Sequence, residues 1–285
     1  MNRLTTEKRA QILGMMVEGM IIRAISRLTG PSKNTVVKLL IDAGQACSEY
    51  QDRMLRHLPC KRLQLDEIWS FVGMKERNVP VERKGTGVGD IWTWTALDAD
   101  TKLIASWVVG DRSGETARVF VCDLAKRLAN RTQITTDGHR AYLESIEAGF
   151  GSDVDYAMLI KLYGQTEEGQ RRYSPAQVVG TETVCCTGKP DPKHISTSFA
   201  ERQNLTMRMS MRRFTRLTNA LSKKIENLAH AVALHFMWYN FGRIHQTLRV
   251  TPAMEAGVSD HVWTLEEVVG LLDVQEAADR AAQSN

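Results

Sequence analysis

"LQLDEIWSFVG", residues 63–73, decides the fold. Leu63, Leu65, Glu67, Trp69 and Phe71 alternate with Gln64, Asp66, Ile68, Ser70 and Val72, the period of two that a strand requires. The stretches before it carry helical spacing, so the chain changes character here. Downstream, "IWTWTALDA" (91–99) and "KLIASWVVG" (102–110) meet through Asp98, Asp100 and Thr101 and predict a β-hairpin. "SGETARVFVCDLAKRLA" (113–129) predicts a helix capped by Ser113. "QITTDG" (133–138) predicts a strand, "HRAYLESIEAGF" (139–150) a helix and "YAMLIKLYG" (156–164) a further strand.

Three antiparallel strands, a helix, a strand, a helix and a strand make a mixed α/β unit, in the order seen in ribonuclease H-like domains. Residues 164–197 are polar and predict a loop-rich insertion, long enough to be functional or mobile. A helix-rich end is expected from Ser198 to about His245, and residues 258–285 form an acidic tail. The expected organisation is an all-α segment at 1–62, an α/β domain at 63–257 and the tail.

Working back toward the start, "TTEKRAQILGMMVEG" (5–19), "IIRAISRLTG" (21–30) and "SKNTVVKLLIDAG" (32–44) read as three short helices, the third capped by Ser32 and ending at Gly44. This fits a helix-turn-helix in which Lys33, Asn34, Thr35 and Lys38 face a DNA major groove while Val36, Leu39 and Leu40 pack inward. A three-helix protein-contact module has the same pattern, and both readings stand at this point.

Composition narrows the class without choosing among functions. At 43% hydrophobic and 25% charged, the 285 residues are ordinary for a globular protein. No apolar run approaches the roughly 18 residues of a membrane span, and "MNRLTTEKRAQILG" lacks a signal-peptide core, so a cytoplasmic protein is expected. Five cysteines form no C-x-x-C pair, which argues against a zinc knuckle. Residues 1–62 hold 11 Lys/Arg against 5 Asp/Glu, and residues 201–250 hold 9 against 2. Residues 251–285 hold 1 against 7. Two basic zones suggest a polyanion touched at two places, with the tail either shielding the second zone or staying solvated.

Chemistry in such a chain would rest on carboxylates, since Mg²⁺ and Mn²⁺ take hard oxygen ligands from separate elements converging at one point. Asp66 in the first strand and Asp137 at the end of the fourth meet that demand, although Asp137-Gly138 is also a good turn dipeptide. Glu201 has two readings. "Ser198-Phe199-Ala200-Glu201" matches an S-x-x-E capping box. A continuous helix, at about 100° per residue, would instead gather Glu201 with Arg202, Arg208, Arg212, Arg213, Arg216, Lys223 and Lys224 on one half-face, opposite Phe199, Met207, Met211 and Phe214. Cations for phosphates beside a carboxylate for metal would suit a nuclease. The tryptophans Trp69, Trp92, Trp94 and Trp107 occupy strand positions and are read as core, and His139 is read as a structural hydrogen-bonding residue.

"LDEIWSFVG", "TTDGHRAYLESI", "SFAERQNLTMRM" and "WYNFGRIHQTLRVTPA" together resemble the bacterial insertion-sequence transposases of the DDE class, in particular the IS-one family. The four stretches occur in the family's order, and the resemblance spans residues 1–257. It implies a ribonuclease H-like catalytic core and a metal-binding triad of Asp66, Asp137 and Glu201 holding two Mg²⁺ or Mn²⁺ ions. It further implies double-stranded DNA as partner and substrate, a homodimer or higher assembly on DNA, and neither a membrane nor a small-molecule substrate. Arg208, Arg212 and Arg216 are expected to track phosphates and Arg202 to lie near the scissile site. The zinc-binding cysteine cluster that some relatives carry before the helix-turn-helix has no counterpart here. A repressor or an inactive copy, binding DNA without catalysis, is the alternative.

Overall fold

The computed structural model describes residues 3–164, 177–215 and 220–283. The N-terminal helices are α1 (Thr6–Val17), α2 (Ile22–Thr29) and α3 (Lys33–Met54). Then follow β1 (Arg62–Val72), β2 (Gly89–Asp98), β3 (Ile104–Gly110), α4 (Gly114–Ala125), β4 (Thr132–Thr136), α5 (Ala141–Phe150), β5 (Val154–Tyr163) and β6 (Val178–Thr187). The chain closes with α6 (Ser198–Ser210), α7 (Ile225–Met237), α8 (Pro252–Glu255) and α9 (Leu265–Gln283).

β1 is the strand the period of two predicted, and it is central. It pairs antiparallel with β2, Trp69 opposite Trp92, and parallel with β4, Gln64 opposite Thr135. The six-stranded mixed sheet runs β3-β2-β1-β4-β5-β6, an arrangement compatible with a ribonuclease H-like core. Burial on both faces explains why β1 carries Leu63 and Leu65 on one side and Ile68 and Val72 on the other. On one face Trp94 meets Phe120 of α4 and Tyr142 of α5; on the other, Trp107 packs on Phe236 of α7.

Five expectations need correction. The stretch 164–197 is not all loop, because β6 pairs antiparallel with β5 along its length. β6 is an edge strand exposed on both faces, so it lacks the alternation that marks a half-buried strand. Gly44 does not end α3, which continues to Met54. The glycine is there for packing: a Cβ at Gly44 would lie 2.4 Å from the Cβ of His230 and 2.5 Å from its Cα, so its absence lets α3 and α7 touch backbone to backbone.

The basic helix is not continuous. α6 stops at Ser210, Met211 is extended, and Arg212–Phe214 form a 3₁₀ turn that buries Met211 and Phe214. Arg213 turns away from α6 and donates to Ser222 Oγ at 2.6 Å, so the half-face shared with Glu201 does not extend past the end of α6. No Gly or Pro marks this break in the sequence. Phe199, expected in the core stripe, is 41% exposed and lies beneath the Lys102 ammonium at 3.6 Å. Lastly, the acidic tail folds in part as α9, which buries Val268, Val269 and Leu272 against α1 and α3. Its Asp273 pairs with Arg9 at 2.8 Å and Arg3 at 2.5 Å, and so meets the first basic zone.

The ends of the sheet are tied by polar groups. Asn240 uses its side-chain amide as a short stretch of strand, accepting from the Ile104 amide and donating to the Ile104 carbonyl, both at 3.0 Å. Arg127, nearly buried after α4, donates to Asp123 at 2.6 Å and to Asp52 of α3 at 2.7 Å.

Candidate metal centre

The parallel register of β1 and β4 brings two carboxylates together. β4 ends at Thr136, and continuing the register of Gln64 opposite Thr135 sets Asp137 beside Asp66. Asp66 and its neighbour Glu67 leave β1 on opposite faces, yet with β4 ended there both reach the same gap. Ligand oxygens of Asp66, Glu67 and Asp137 all lie within 4.8 Å of one another. Asp137 thus stands at the carboxyl end of β4, beside the middle of β1, which runs on to Val72.

Each carboxylate is held. Asp66 Oδ1 accepts from the Glu67 amide at 2.8 Å, and its Oδ2 accepts from Asn204 Nδ2 of α6 at 2.8 Å. Asp137 Oδ1 accepts from the His139 amide at 2.9 Å. Glu67 is clamped by Arg112 Nε at 2.7 Å and by the Tyr142 hydroxyl at 3.0 Å. The His139 ring is packed against Trp94 and Tyr142.

The electrostatics are those of a crowded acidic site. Burial first, then the charges of Glu67 and Asp137, push the Asp66 carboxyl up to about 7. Burial and Asp137 also raise Glu67, against the opposing pull of Arg112. Carboxylates that raise one another's pKa gain most from a nearby cation. The donor set is hard oxygen, and Asn204 Oδ1 is buried without a hydrogen-bond partner among the described residues. Both features fit a hard divalent ion.

Glu201 sits differently from Asp66 and Asp137. Its carboxylate is 44% exposed, accepts from the Thr197 hydroxyl at 2.6 Å and pairs with Lys161 of β5. It is outside the group within 4.8 Å, but its charge still contributes to raising Asp66. The capping box is not formed: Thr197 is the cap, and the Ser198 amide donates to Ser196 Oγ at 3.2 Å. Gln64 of β1 takes that role instead, its Oε1 accepting from the Phe199 amide at 2.8 Å and the Ala200 amide at 3.0 Å. A side chain 135 and 136 positions away from the two amides has replaced the local cap, which no sequence window could reveal.

Sequence reasoning therefore brings Asp66 and Asp137 together in space and misses Glu67, Asn204 and Gln64. Glu67 was legible only as a strand residue adjacent to Asp66; Asn204 lies three positions after Glu201, one helical turn on. Replacing Gln64 by Met should leave the part-buried Phe199 amide and the buried Ala200 amide of α6 without acceptors. We expect a loss of about 2 kcal/mol in chemical denaturation and faster amide exchange at Phe199 and Ala200.

The residues expected to meet DNA are partly arranged as read. Lys33, Asn34, Thr35 and Lys38 are exposed on α3, while Val36, Leu39 and Leu40 are buried beneath them. Ser32 caps α3 by accepting from the Thr35 amide at 3.2 Å, and Lys38 pairs with Asp42 at 2.6 Å. Arg202 and Arg208 lie on α6, Arg212 is exposed in the following turn, and Arg216 lies outside the described residues. Among the described residues, no helix is long and apolar enough to cross a membrane. No protein-family model matches the chain, and a search of curated proteins finds no match.

Proposed function

We propose that the chain is a DDE-class transposase that cleaves DNA at element ends and joins the freed strand to a target. The observation that carries the reading is the meeting of Asp66, Glu67 and Asp137 where β4 ends beside the middle of β1, with Glu201 and Asn204 of α6 beside them. Asp66, Asp137 and Glu201 would hold two Mg²⁺ or Mn²⁺ ions. Bound there, such ions supply a nucleophilic water and charge neutralisation at the attacking and leaving oxygens of an in-line displacement.

The chain's own groups prepare that chemistry. Asn204 orients the Asp66 carboxylate, and Gln64 fixes the start of α6 and with it Glu201. Arg112 and Tyr142 occupy the Glu67 carboxylate, whereas Glu201, held among the described residues by Thr197 and Lys161, would be the third ligand. Arg202, Arg208 and Arg212 would contact phosphates. A helix-turn-helix built from α1 to α3 would present Lys33, Asn34, Thr35 and Lys38 to double-stranded DNA, and joining two ends calls for at least a dimer.

The test is cleavage and strand joining on DNA carrying the flanking element ends, with Mg²⁺ or Mn²⁺, comparing Glu201→Gln with Glu67→Gln. Glu201→Gln is expected to abolish both steps while DNA binding and melting temperature persist. Binding of the ends without cutting under any divalent ion would favour the repressor or inactive copy. A readout besides activity is the melting temperature, which millimolar Mn²⁺ should raise in the parent and leave unchanged in Asp137→Asn.

A further inference from the structure

Away from the carboxylates lies a cavity of about 740 Å³, bounded by α1, the turn into α2 and α3 on one side and by the Met211–Arg213 turn and α7 on the other. Its volume is that of a small-molecule site. Six cations line it, Arg23, Lys33, Arg212, Arg213, Lys223 and Lys224, and none of its lining residues is acidic. Among the described residues none of the six is paired with a carboxylate, so the cavity carries a concentrated positive charge with no counter-charge of its own.

Two of its polar groups are withdrawn from water. Arg213 has Ser222 as its one hydrogen-bond partner among the described residues, and burial pulls its guanidinium down to about 10. His235 is 5% exposed, and its Nε2 is buried with no hydrogen-bond partner among the described residues. Polar groups buried without partners are costly, and a ligand that pairs with them recovers that cost.

The remaining wall is aliphatic and flexible, including Met16, Met20, Val37, Met211 and Leu234. Among the described residues no Phe, Tyr or Trp lines it and the His235 imidazole is its one aromatic ring, whereas its several methionines adapt readily to an alkyl chain. We propose that this cavity binds an amphipathic anion, an aliphatic chain ending in a carboxylate or phosphate, with the head group on Arg213 and the chain among the methionines. The site stands independently of the transposase reading, although Lys33, Asn34 and Arg212 belong to both surfaces.

Calorimetry on the full chain would test it, using laurate and dodecyl phosphate below their micelle thresholds. One-to-one saturable binding is expected, with inorganic phosphate and dodecyltrimethylammonium each at least about 100-fold weaker, since each lacks half of the recognised chemistry. Arg213→Gln should weaken laurate by on the order of tenfold or more. Val37→Trp, which fills the cavity from the α3 side, should abolish binding with the melting transition retained, and it carries the test if Arg213→Gln does not fold. Absence of saturable binding, equal binding of the cationic detergent, or laurate affinity unchanged in Val37→Trp would overturn the proposal. Binding of a single-stranded oligonucleotide that Val37→Trp removes, without any laurate binding, would overturn it too and give the cavity to nucleic acid.

Discussion

Asp66→Asn is expected to lose divalent-dependent strand cleavage by on the order of 10³-fold or more, several kcal/mol of transition-state stabilisation, while still folding and binding DNA. In the metal-free protein the same substitution should raise stability at neutral pH. Burial and neighbouring carboxylates lift the folded-state pKa of Asp66 from 3.8 to about 7. Below about pH 4 the group is neutral in both folded and unfolded chains. As pH rises from about 4 to 7 the unfolded chain ionises first, so stability falls across that window and levels off above it. Asparagine removes this loss but keeps only one side-chain oxygen to accept from the Glu67 amide and Asn204, so the net gain at pH 8 should be about 1–3 kcal/mol. Melting curves between pH 4 and 8 in a chelator check this. A parent protein whose stability is flat across that range would sink the account of the site's electrostatics.

Gly44→Ala is expected to cost about 3 kcal/mol, the upper part of the range for overpacking, because the added methyl meets backbone atoms of His230 as well as its side chain. Neither neighbour can rotate away, and the two helices must separate. Gln51, which reaches from α3 to the Ala233 carbonyl at 3.0 Å, would lose its bond in the process. Gly30→Ala provides the control: nothing lies within 4 Å of a Cβ there, and the only penalty is the positive φ of 94° at the end of α2. Equal losses at the two positions, read by chemical denaturation, would contradict the close α3–α7 contact.

Much of the sheet was legible because its strands announce themselves locally. The alternation in 63–73, the turn residues between 91–99 and 102–110, and the Ser113 cap depend on neighbours within a few positions, and the structure places β1, β2, β3 and α4 accordingly. β6 escaped because a strand exposed on both faces has no apolar period to read. The break after Ser210 escaped because it is driven by burying Met211 and Phe214, with no helix-breaking residue to mark it. The folded part of the tail was hidden by its charge: Leu265, Val268, Val269 and Leu272 do follow helical spacing, yet six acidic residues lie among them and beside them.

By itself the sequence determined the order of elements from β1 to β5 and put Asp66 on the first strand and Asp137 at the end of the fourth, because periodicity and turn chemistry act over short range. Only the tertiary structure decided that Glu67 joins them, that Gln64 caps α6, that Glu201 is released from capping, and that six cations surround one cavity. These are contacts between elements far apart in the chain, set by strand register and by how closely helices approach, and no local pattern of residues encodes either.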